Sequence, residues 1–169
     1  MLTNQQLQQV QLVVFDFDGV FTNNTVLVSQ QGVESVQCWR SDGLGLSRLK
    51  QIGVHLYIVS TEENPVVMVR ANKLKVPCVQ GVADKALAIK TICHELSVNL
   101  KNTLFMGNDI NDIPAFQVVG FPVAVADAYE EVDPYVLFKT KKPGGFGAVR
   151  ELCDMIYHAQ TKTGLNATC

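Results

Sequence analysis

The fold is decided by the stretch Val13-Val14-Phe15-Asp16-Phe17-Asp18-Gly19-Val20-Phe21-Thr22, in which an apolar run ends at two carboxylates. A short run of β-branched and aromatic residues is typical of a strand that is buried on both faces. Asp is disfavoured inside strands, so we expect Asp16 and Asp18 at the strand's exit, where both point to the same face. Two acids this close repel each other unless a cation or a shared proton relieves the repulsion. The stretch therefore predicts either a ligand site at the end of a buried strand or ordinary turn chemistry after it.

The composition describes a globular chain of 169 residues, of which 47% are hydrophobic and 18% are charged. A formal net charge of −2 offers no basic surface, so we expect neither nucleic acid nor a membrane as a partner. Residues 1–10 are rich in Gln and lack the apolar core of a signal peptide. The five cysteines are scattered and include no C-x-x-C pair. A cytoplasmic protein with reduced thiols is therefore the expectation, rather than a zinc site or a disulfide framework.

Strand-like and helix-like segments alternate along the chain. This alternation is typical of right-handed βαβ units, so we predict one α/β domain over residues 1–169, with a Rossmann-like parallel sheet and helices on both faces. A β-hairpin is predicted at about residues 22–39, directly after the acidic stretch. A lone hairpin is marginal in water, so its Val and Trp side chains are expected to pack on something, and a second subunit is one candidate. The tail at about residues 161–169 is expected to be frayed.

Local signals predict the helix starts and loops of the later chain. Asp84 is predicted to be the N-cap of a helix that carries the apolar residues Leu87, Ile89, Ile92 and Leu96. A last strand is predicted at Tyr135-Val136-Leu137, and Gly144-Gly145-Phe146-Gly147 is predicted to be a flexible loop. Asp42 is either the N-cap of the helix that follows it or a substrate contact.

Polar residues follow several of the predicted strands. Besides the first acidic pair, Ser60-Thr61 and Asn108-Asp109-x-x-Asp112 stand at strand ends. The carboxyl ends of parallel strands lie at one edge of a sheet, so we expect these groups to converge on one crevice, together with Lys85. Their oxygens suit a hard cation such as Mg²⁺, which also partners phosphate. Beside such a cation one carboxylate can be a nucleophile and a second can move the proton, while a hydroxyl and an ammonium stabilise phosphoryl oxygens.

These motifs together resemble the haloacid dehalogenase (HAD) superfamily. The segment Phe15–Thr22 resembles its first motif, and Ser60, Lys85 and Gly107–Asp112 match its second, third and fourth motifs in the right order. The resemblance extends over about residues 9–160. Further segments are similar to the small, capless branch of phosphatases: the hairpin, Arg40–Gly45, Gln80-Gly81, Val123–Ala128 and Gly144–Glu151. That branch contains the phosphatases of 3-deoxy-D-manno-octulosonate 8-phosphate and of nonulosonate (sialic-acid-type) 9-phosphates.

The resemblance implies a metal-assisted reaction at the two acids of the first motif. Asp16 is expected to be the nucleophile and a Mg²⁺ ligand. Asp18 is expected to be the general acid and base, and to give its backbone carbonyl to the metal. The third metal ligand falls at Asn108, with Asp109 and Asp112 supporting it.

The resemblance also implies how the substrate is held. Ser60 and Lys85 are expected to hold the phosphoryl group, and Thr61 is expected to be a further substrate-binding residue. Arg70 falls where the family has an arginine for the carboxylate of a sugar acid. The expected partner is therefore a small acidic sugar phosphate. The family fold further implies homotetramers, in which hairpins form a shared barrel and a neighbour helps to complete each site.

Two departures from the octulosonate enzymes keep alternatives open. Asn108 stands where those enzymes usually have Asp, and Thr61–Pro65 replaces their Gly-Arg and places a negative charge at Glu62. One alternative is a nonulosonate 9-phosphate phosphatase. Another is a weakly catalytic assembly domain that tetramerises through its hairpin and partners a cytidylyltransferase.

Overall fold

The structure is a computed structural model that describes residues 2–161. Its helices are α1 (Asn4–Gln8), α2 (Asp42–Gln51), α3 (Val66–Leu74), α4 (Lys85–Leu96), α5 (Ile113–Val118) and α6 (Ala148–Thr161). Its strands are β1 (Leu12–Phe15), β2 (Leu27–Val28), β3 (Glu34–Ser35), β4 (His55–Val59), β5 (Cys78–Val79), β6 (Thr103–Gly107), β7 (Phe121–Ala124) and β8 (Phe138–Lys139). Six strands form one parallel sheet in the order β5-β4-β1-β6-β7-β8, which confirms the predicted α/β class.

Strand β1 lies in the middle of this sheet, and all four of its residues are buried. It pairs with β4 on one side and β6 on the other, so that Phe15 lies opposite both Ile58 and Met106. The chain first continues to β4 and β5, and then returns past β1 to build β6, β7 and β8. The strand order therefore reverses beside β1, and such a switch point opens a crevice at the carboxyl ends of the strands. The acidic stretch leaves β1 into this crevice.

Helices α2 and α6 pack tightly against each other. A Cβ added at Gly45 would lie 2.8 Å from Cβ of Cys153, so only glycine permits this approach. The buried Asp42 belongs to the same contact, because its Oδ1 accepts the backbone N–H of Arg150 at 3.1 Å. The N-cap of α2 is Ser41, and the Asp42 carboxylate instead satisfies an N–H in the first turn of α6. The N-cap prediction for Asp42 was therefore wrong about which helix the side chain caps.

The hairpin after the acidic stretch is shorter than predicted. Only two residues pair on each arm, Leu27 with Ser35 and Val28 with Glu34, and a single bridge between Thr22 and Cys38 closes its base. Val36 and Cys38 near its base pack partly against the core, but the apolar side chains farther out are exposed, with Leu27 at 74%. A ladder this short is not stable by itself in water, so its conformation depends on what it packs against.

Three local predictions differ from the structure. The last strand is β8, which begins at Phe138, after the predicted strand Tyr135-Val136-Leu137. Residues Glu130–Tyr135 form a 3₁₀-helix, which occupies the start of the predicted strand. The side chain of Asp84 does cap α4, accepting the N–H of Leu87 at 2.9 Å, but the Leu87 side chain is 61% exposed rather than in the core. Gly144–Gly147 is not a free loop, since the N–H of Gly145 donates to Val20 O at 3.0 Å.

No helix within residues 2–161 is long and apolar enough to cross a membrane. Of the tail that was predicted to be frayed, only Thr161 is described, as the last residue of α6. The remainder of that prediction lies outside the described residues.

Candidate active site

The two acids of the first motif lie where the sequence predicts them, at the exit of β1. The backbone N–H of Asp16 still donates to Met106 O at 2.9 Å, so this residue continues the sheet, and its side chain is buried. The next residues turn away, with the N–H groups of Val20 and Phe21 both donating to Phe17 O. This turn leaves Asp18 half-buried at the edge of the crevice.

Lys85 forms the centre of a buried charge cluster. Its side chain enters from the first turn of α4, and its Nζ lies 2.8 Å from Asp16 Oδ1 and 2.6 Å from Asp112 Oδ1. Burial alone would lower the pKa of Lys85, but the two carboxylates outweigh it and raise the pKa above its ordinary value. Lys85 is therefore a fixed positive charge that orients the carboxylate of Asp16.

Burial dominates the ionisation of both motif acids. Burial and the negative charge of Asp112 raise the pKa of Asp16 to about 7, although Lys85 opposes this shift. The pKa of Asp18 is also raised, first by burial and then by the charge of Glu62. A hydrogen bond from the Thr22 hydroxyl to Asp18 Oδ1, at 3.5 Å, works in the opposite direction. The raised pKa of Asp18 lets it hold its proton at higher pH, as a general acid requires, whereas Asp16 must lose its proton before it can act as a nucleophile.

Asp112 also shapes the loop after β6. Its Oδ2 accepts the backbone N–H of Asn108 at 2.8 Å and that of Asp109 at 3.3 Å, while Asp109 caps the turn through the N–H of Ile110. The same carboxylate fills the space where a side chain at Gly107 would stand, 2.3 Å from the ideal Cβ position. Asp112 thus supports the loop and binds Lys85 at once.

Asn108 reaches across to the first motif. A Cβ added at Gly19 would lie 2.1 Å from Nδ2 of Asn108, so the amide packs directly on the glycine that follows Asp18. The side chain of Asn108 is buried in this position. The loops after β1 and β6 are therefore in contact at the point where the resemblance expects a metal ligand.

Ser60 contributes a hydroxyl from the end of β4. Its backbone N–H donates to Val79 O at 2.9 Å, and its Oγ accepts the N–H of Glu62 at 3.1 Å. Because the oxygen accepts that bond, the hydroxyl hydrogen remains available to a ligand. Thr61 beside it is exposed.

These side chains surround a cleft of about 80 Å³ at the switch point. Its lining consists of Asp16, Asp18, Asn24, Ser60, Thr61, Asn108, Asp109 and Asn111. The structure thus brings together the predicted residues of the first, second and fourth motifs, with Lys85 behind Asp16. The sequence reasoning missed Asn24 and Asn111. Asn24 adopts a φ of 60°, which Asn tolerates better than most residues, so an Asn shortly after the motif was a sign of a turn there.

Arg70 does not line this cleft. It is half-buried on α3, and its Nη2 donates to the carbonyl of Trp39 at 3.2 Å, while its Nε is buried without a partner among the described residues. Arg70 thus lies beside the base of the hairpin and outside the lining of the cleft. Any ligand that Arg70 binds must therefore extend out of the cleft toward the hairpin.

The donors at the cleft fit a hard divalent cation. The lining offers carboxylate, amide and hydroxyl oxygens, the ligand types that Mg²⁺ prefers. Within residues 2–161, no three side chains of His, Cys, Asp or Glu gather into a group that could hold a metal by themselves. The amide oxygen of Asn108 and a backbone carbonyl would therefore have to complete the set. A cation would also offset the burial that disfavours the ionised form of Asp16.

The parallel sheet and the acidic cleft at its switch point define a hydrolase of the HAD fold. Residues 50–148, more than half of the chain, match the family model described as haloacid dehalogenase-like hydrolase. The chain belongs to this family, and it is a phosphatase within it. A curated relative, 3-deoxy-D-manno-octulosonate 8-phosphate phosphatase of Yersinia pestis, is 32% identical over 167 residues, which cover 96% of this chain and 89% of the relative.

Solved structures agree with this assignment. A putative HAD family hydrolase from Streptomyces avermitilis is 44% identical with a TM-score of 0.86, and the match covers 88% of this chain and 86% of the other. The 3-deoxy-D-manno-octulosonate 8-phosphate phosphatase of Moraxella catarrhalis is 31% identical with a TM-score of 0.90, covering 96% and 94%. That structure is a complex with a magnesium ion, a phosphate ion and a KDO molecule. These similarities do not favour the nonulosonate or the assembly alternative.

Proposed function

We propose that this chain is a Mg²⁺-dependent phosphatase of an acidic sugar phosphate of the 3-deoxy-D-manno-octulosonate 8-phosphate type. The observation that carries the proposal is the buried Asp16–Lys85–Asp112 cluster beside the oxygen-lined cleft. A surface carboxylate has no need of such support, whereas a nucleophile must be held in one orientation. The similarity to octulosonate 8-phosphate phosphatases supports the choice of substrate.

The metal in this proposal is held by the loops after β1 and β6. A carboxylate oxygen of Asp16, the backbone carbonyl of Asp18 and the amide oxygen of Asn108 would hold it, with Asp109 and Asp112 supporting the loop of Asn108. When bound, Mg²⁺ would offset the negative charge on the phosphoryl oxygens, so that the anionic carboxylate could attack the phosphorus.

The chemistry divides between the two acids of the first motif. A carboxylate oxygen of Asp16 attacks phosphorus and forms a phospho-aspartyl bond, while the ester oxygen leaves with the proton of Asp18. Asp18, now ionised, takes a proton from water, and this water oxygen attacks the same phosphorus. The bond from phosphorus to Asp16 breaks, which releases inorganic phosphate and restores both carboxyl groups. The raised pKa of Asp18 fits its start as a proton donor.

In this proposal Lys85 and Ser60 bind the phosphoryl group during the transfer. Two of the three N–H donors of Lys85 point at Asp16 and Asp112, which leaves the third for a phosphoryl oxygen. The free hydroxyl hydrogen of Ser60 supplies another donor, and Thr61 stands beside it at the rim. Fixed donors of this kind stabilise the charge that spreads over the transferred group.

Arg70 is proposed to recognise the carboxylate of the sugar acid. Its guanidinium gives one donor to Trp39 O and keeps others unused, including the buried Nε. An arginine with free donors outside the phosphoryl cleft suits a substrate that carries a second anionic group at a distance from its phosphate. Glu62, close enough to Asp18 to raise its pKa, would disfavour a carboxylate bound nearer the phosphate.

Assembly into a cytoplasmic homotetramer is the remaining part of the proposal. The hairpin exposes Val26, Leu27, Val28 and Val33 on one short ribbon that the subunit does not cover. Burying such a ribbon between copies would stabilise it, and the base of the hairpin is the neighbour of Arg70 through Trp39. A second subunit would therefore help to complete the site.

A panel of phosphate esters tests this function. We expect phosphate release with Mg²⁺ from octulosonate 8-phosphate to exceed that from neutral hexose 6-phosphates. Arg70→Gln should raise KM for the acidic sugar roughly tenfold while leaving KM for an aryl phosphate unchanged, since only the sugar acid carries the carboxylate. Equal turnover of neutral and acidic sugars, or an equal effect of Arg70→Gln on both substrates, would refute the assignment of the substrate.

A further inference from the structure

The loop Gly144-Gly145 lies directly on the backbone of the first motif. A Cβ added at Gly144 would lie 1.8 Å from Gly19 O, and one added at Gly145 would lie 2.3 Å from Asn23 N. Gly145 also has a φ of +69°, which disfavours any other residue, and its N–H donates to Val20 O at 3.0 Å. The two glycines thus allow one backbone to rest on another, with no side chain between them.

The first motif is therefore held from two sides. Asn108 packs on Gly19 from the direction of β6, with its Nδ2 2.1 Å from the ideal Cβ position, and Gly144 packs on the carbonyl of Gly19. Gly19 follows Asp18 immediately, so a shift of either neighbour changes where the Asp18 side chain and carbonyl lie. The separation between Asp18 and Asn108 depends on both contacts.

One short segment after β7 anchors both sides of this arrangement. Asp127 Oδ1 accepts the backbone N–H of Gly144 at 2.8 Å. Two residues later, the N–H of Tyr129 donates to Asn108 O at 3.0 Å. The segment that fixes the Asn108 loop therefore also fixes the glycine loop.

We infer that Asp127 is a positioning residue for the phosphatase reaction: by binding Gly144 N–H it holds the glycine loop against Gly19 and so sets the position of Asp18 relative to Asn108. Asp127 is exposed and does not line the cleft, so it acts through the loop and not on the substrate. The inference rests on the proposed function for its kinetic consequence, but the loop contact itself can be measured without turnover.

The kinetic test compares Asp127→Ala with Asp127→Asn. The alanine removes the acceptor of Gly144 N–H, whereas the asparagine keeps an acceptor oxygen and loses only the charge. We expect Asp127→Ala to lower kcat for an aryl phosphate about tenfold with KM within about twofold, because misplacing a proton donor slows the chemical step more than binding. Asp127→Asn should restore kcat to within about twofold of the wild type. Glu130→Ala, which removes another exposed acid nearby without touching Gly144, is the matched control.

Amide hydrogen exchange of the same proteins separates the two proposals. The N–H of Gly145 is bound to Val20 O, so we expect it to exchange about tenfold faster in Asp127→Ala and at the wild-type rate in Asp127→Asn and Glu130→Ala. The inference is overturned if Asp127→Ala keeps both the wild-type kcat and the wild-type exchange, or if Asp127→Asn is as impaired as alanine. If the wild type hydrolyses no phosphate ester, the proposed function fails, and the exchange of Gly145 still decides whether Asp127 holds the loop.

Discussion

Lys85 decides the charge balance of the candidate site at the scale of single residues. Asp16 and Asp112 are both buried, and each would be costly to ionise without a cation within reach. The ammonium of Lys85 binds both carboxylates, and a metal held by Asp16 would offset the remaining negative charge. The nucleophile proposed here is therefore positioned by one residue from α4 and one from the loop after β6. Neither partner is close to Asp16 in sequence.

The neutral side chain of Asn108 is expected to limit the affinity of the site for the metal. An amide oxygen is a neutral ligand, so Asn108→Asp adds a negative charge to the cradle and should lower the Mg²⁺ concentration at half-maximal rate roughly tenfold. The measurement is the initial rate of aryl phosphate hydrolysis against Mg²⁺ concentration. Asn111→Asp is the control, because it adds a charge to the same cleft at a residue that is not a proposed ligand. An unchanged half-maximal concentration in Asn108→Asp, or an equal shift in Asn111→Asp, would contradict the ligand assignment.

Asp42 is expected to make stability depend on pH. Burial raises its pKa to about 7, and the positive charges of Arg70, Lys142 and Arg150 only partly oppose this. The folded protein then binds a proton that the unfolded chain has released, so stability falls as the pH rises from about 4 to about 7 and the loss is complete above that. Asn cannot ionise but keeps an acceptor for the N–H of Arg150.

The midpoint of thermal unfolding should therefore fall less between pH 5 and pH 8 in Asp42→Asn than in the wild type. Differential scanning fluorimetry at several pH values measures this difference. Glu130→Gln serves as the exposed comparison and should follow the wild type. Parallel pH profiles for Asp42→Asn and the wild type would show that Asp42 ionises at its ordinary pKa in the folded protein.

At the scale of whole elements, the sequence predicts the positions of the buried strands better than the length of the hairpin strands or the residues of a helix that contact the core. Runs such as Val13–Phe15 predict buried strands because every residue is apolar, and the acids after them lie at the crevice for a topological reason. The predicted hairpin was longer than the observed one. Alternation of apolar and polar residues indicates that two segments can pair as strands, but it does not show how many residue pairs form. Leu87 was misplaced for a similar reason, since helical spacing does not show which residues of a helix touch the core.

Long-range contacts explain the rest of what the sequence left out. Asp42 binds the backbone of Arg150, and Asp127 binds that of Gly144, yet each pair is distant along the chain. A carboxylate that caps a distant element leaves no local pattern, because its partner is a backbone N–H that every residue but proline carries. Glycines leave a stronger signal, but their spacing does not show which backbone they rest on.

The packing of α2 on α6 gives a prediction at this scale. A Cβ at Gly45 would lie 2.8 Å from Cys153 Cβ and 2.9 Å from Arg150 Cδ, so Gly45→Ala should lower the free energy of unfolding by roughly 1–3 kcal/mol. Gly43→Ala lies in the same helix and meets only the flexible end of Leu74, at 3.2 Å. It should be neutral or more stable by up to about 1 kcal/mol, since Ala favours helices. Urea unfolding compares them, and equal effects of the two substitutions would contradict this packing.

At the scale of the whole molecule, the subunit leaves an apolar ribbon uncovered. The hairpin projects from the side of the crevice that carries Arg70 and exposes Leu27 at 74%. The cleft at the switch point has a volume of about 80 Å³, which suits the phosphoryl end of a substrate. A homotetramer built on the hairpins would cover the ribbon and enlarge the wall around the sugar, so assembly and substrate choice are expected to depend on each other.

Leu27→Asp tests that dependence. It places a charge in the proposed contact between hairpins, so we expect a smaller oligomer than the wild type by light scattering after size-exclusion chromatography. Leu87→Asp is the matched control, because this leucine is also exposed, at 61%, but lies on α4 away from the hairpin. A monomeric wild type, or a Leu27→Asp protein that remains tetrameric, would contradict the proposed assembly.

The most direct test of the central claim is the rate of phosphate release from 3-deoxy-D-manno-octulosonate 8-phosphate by the wild type and by Asp16→Asn. We expect the wild type to release phosphate with Mg²⁺ and to stop when the metal is chelated. Asp16→Asn should be slower by a factor on the order of 1,000 or more, because it removes the nucleophile while Lys85 and the cleft remain. An Asp16→Asn protein with a rate close to that of the wild type, or a wild type that releases no phosphate with Mg²⁺ present, would contradict the account.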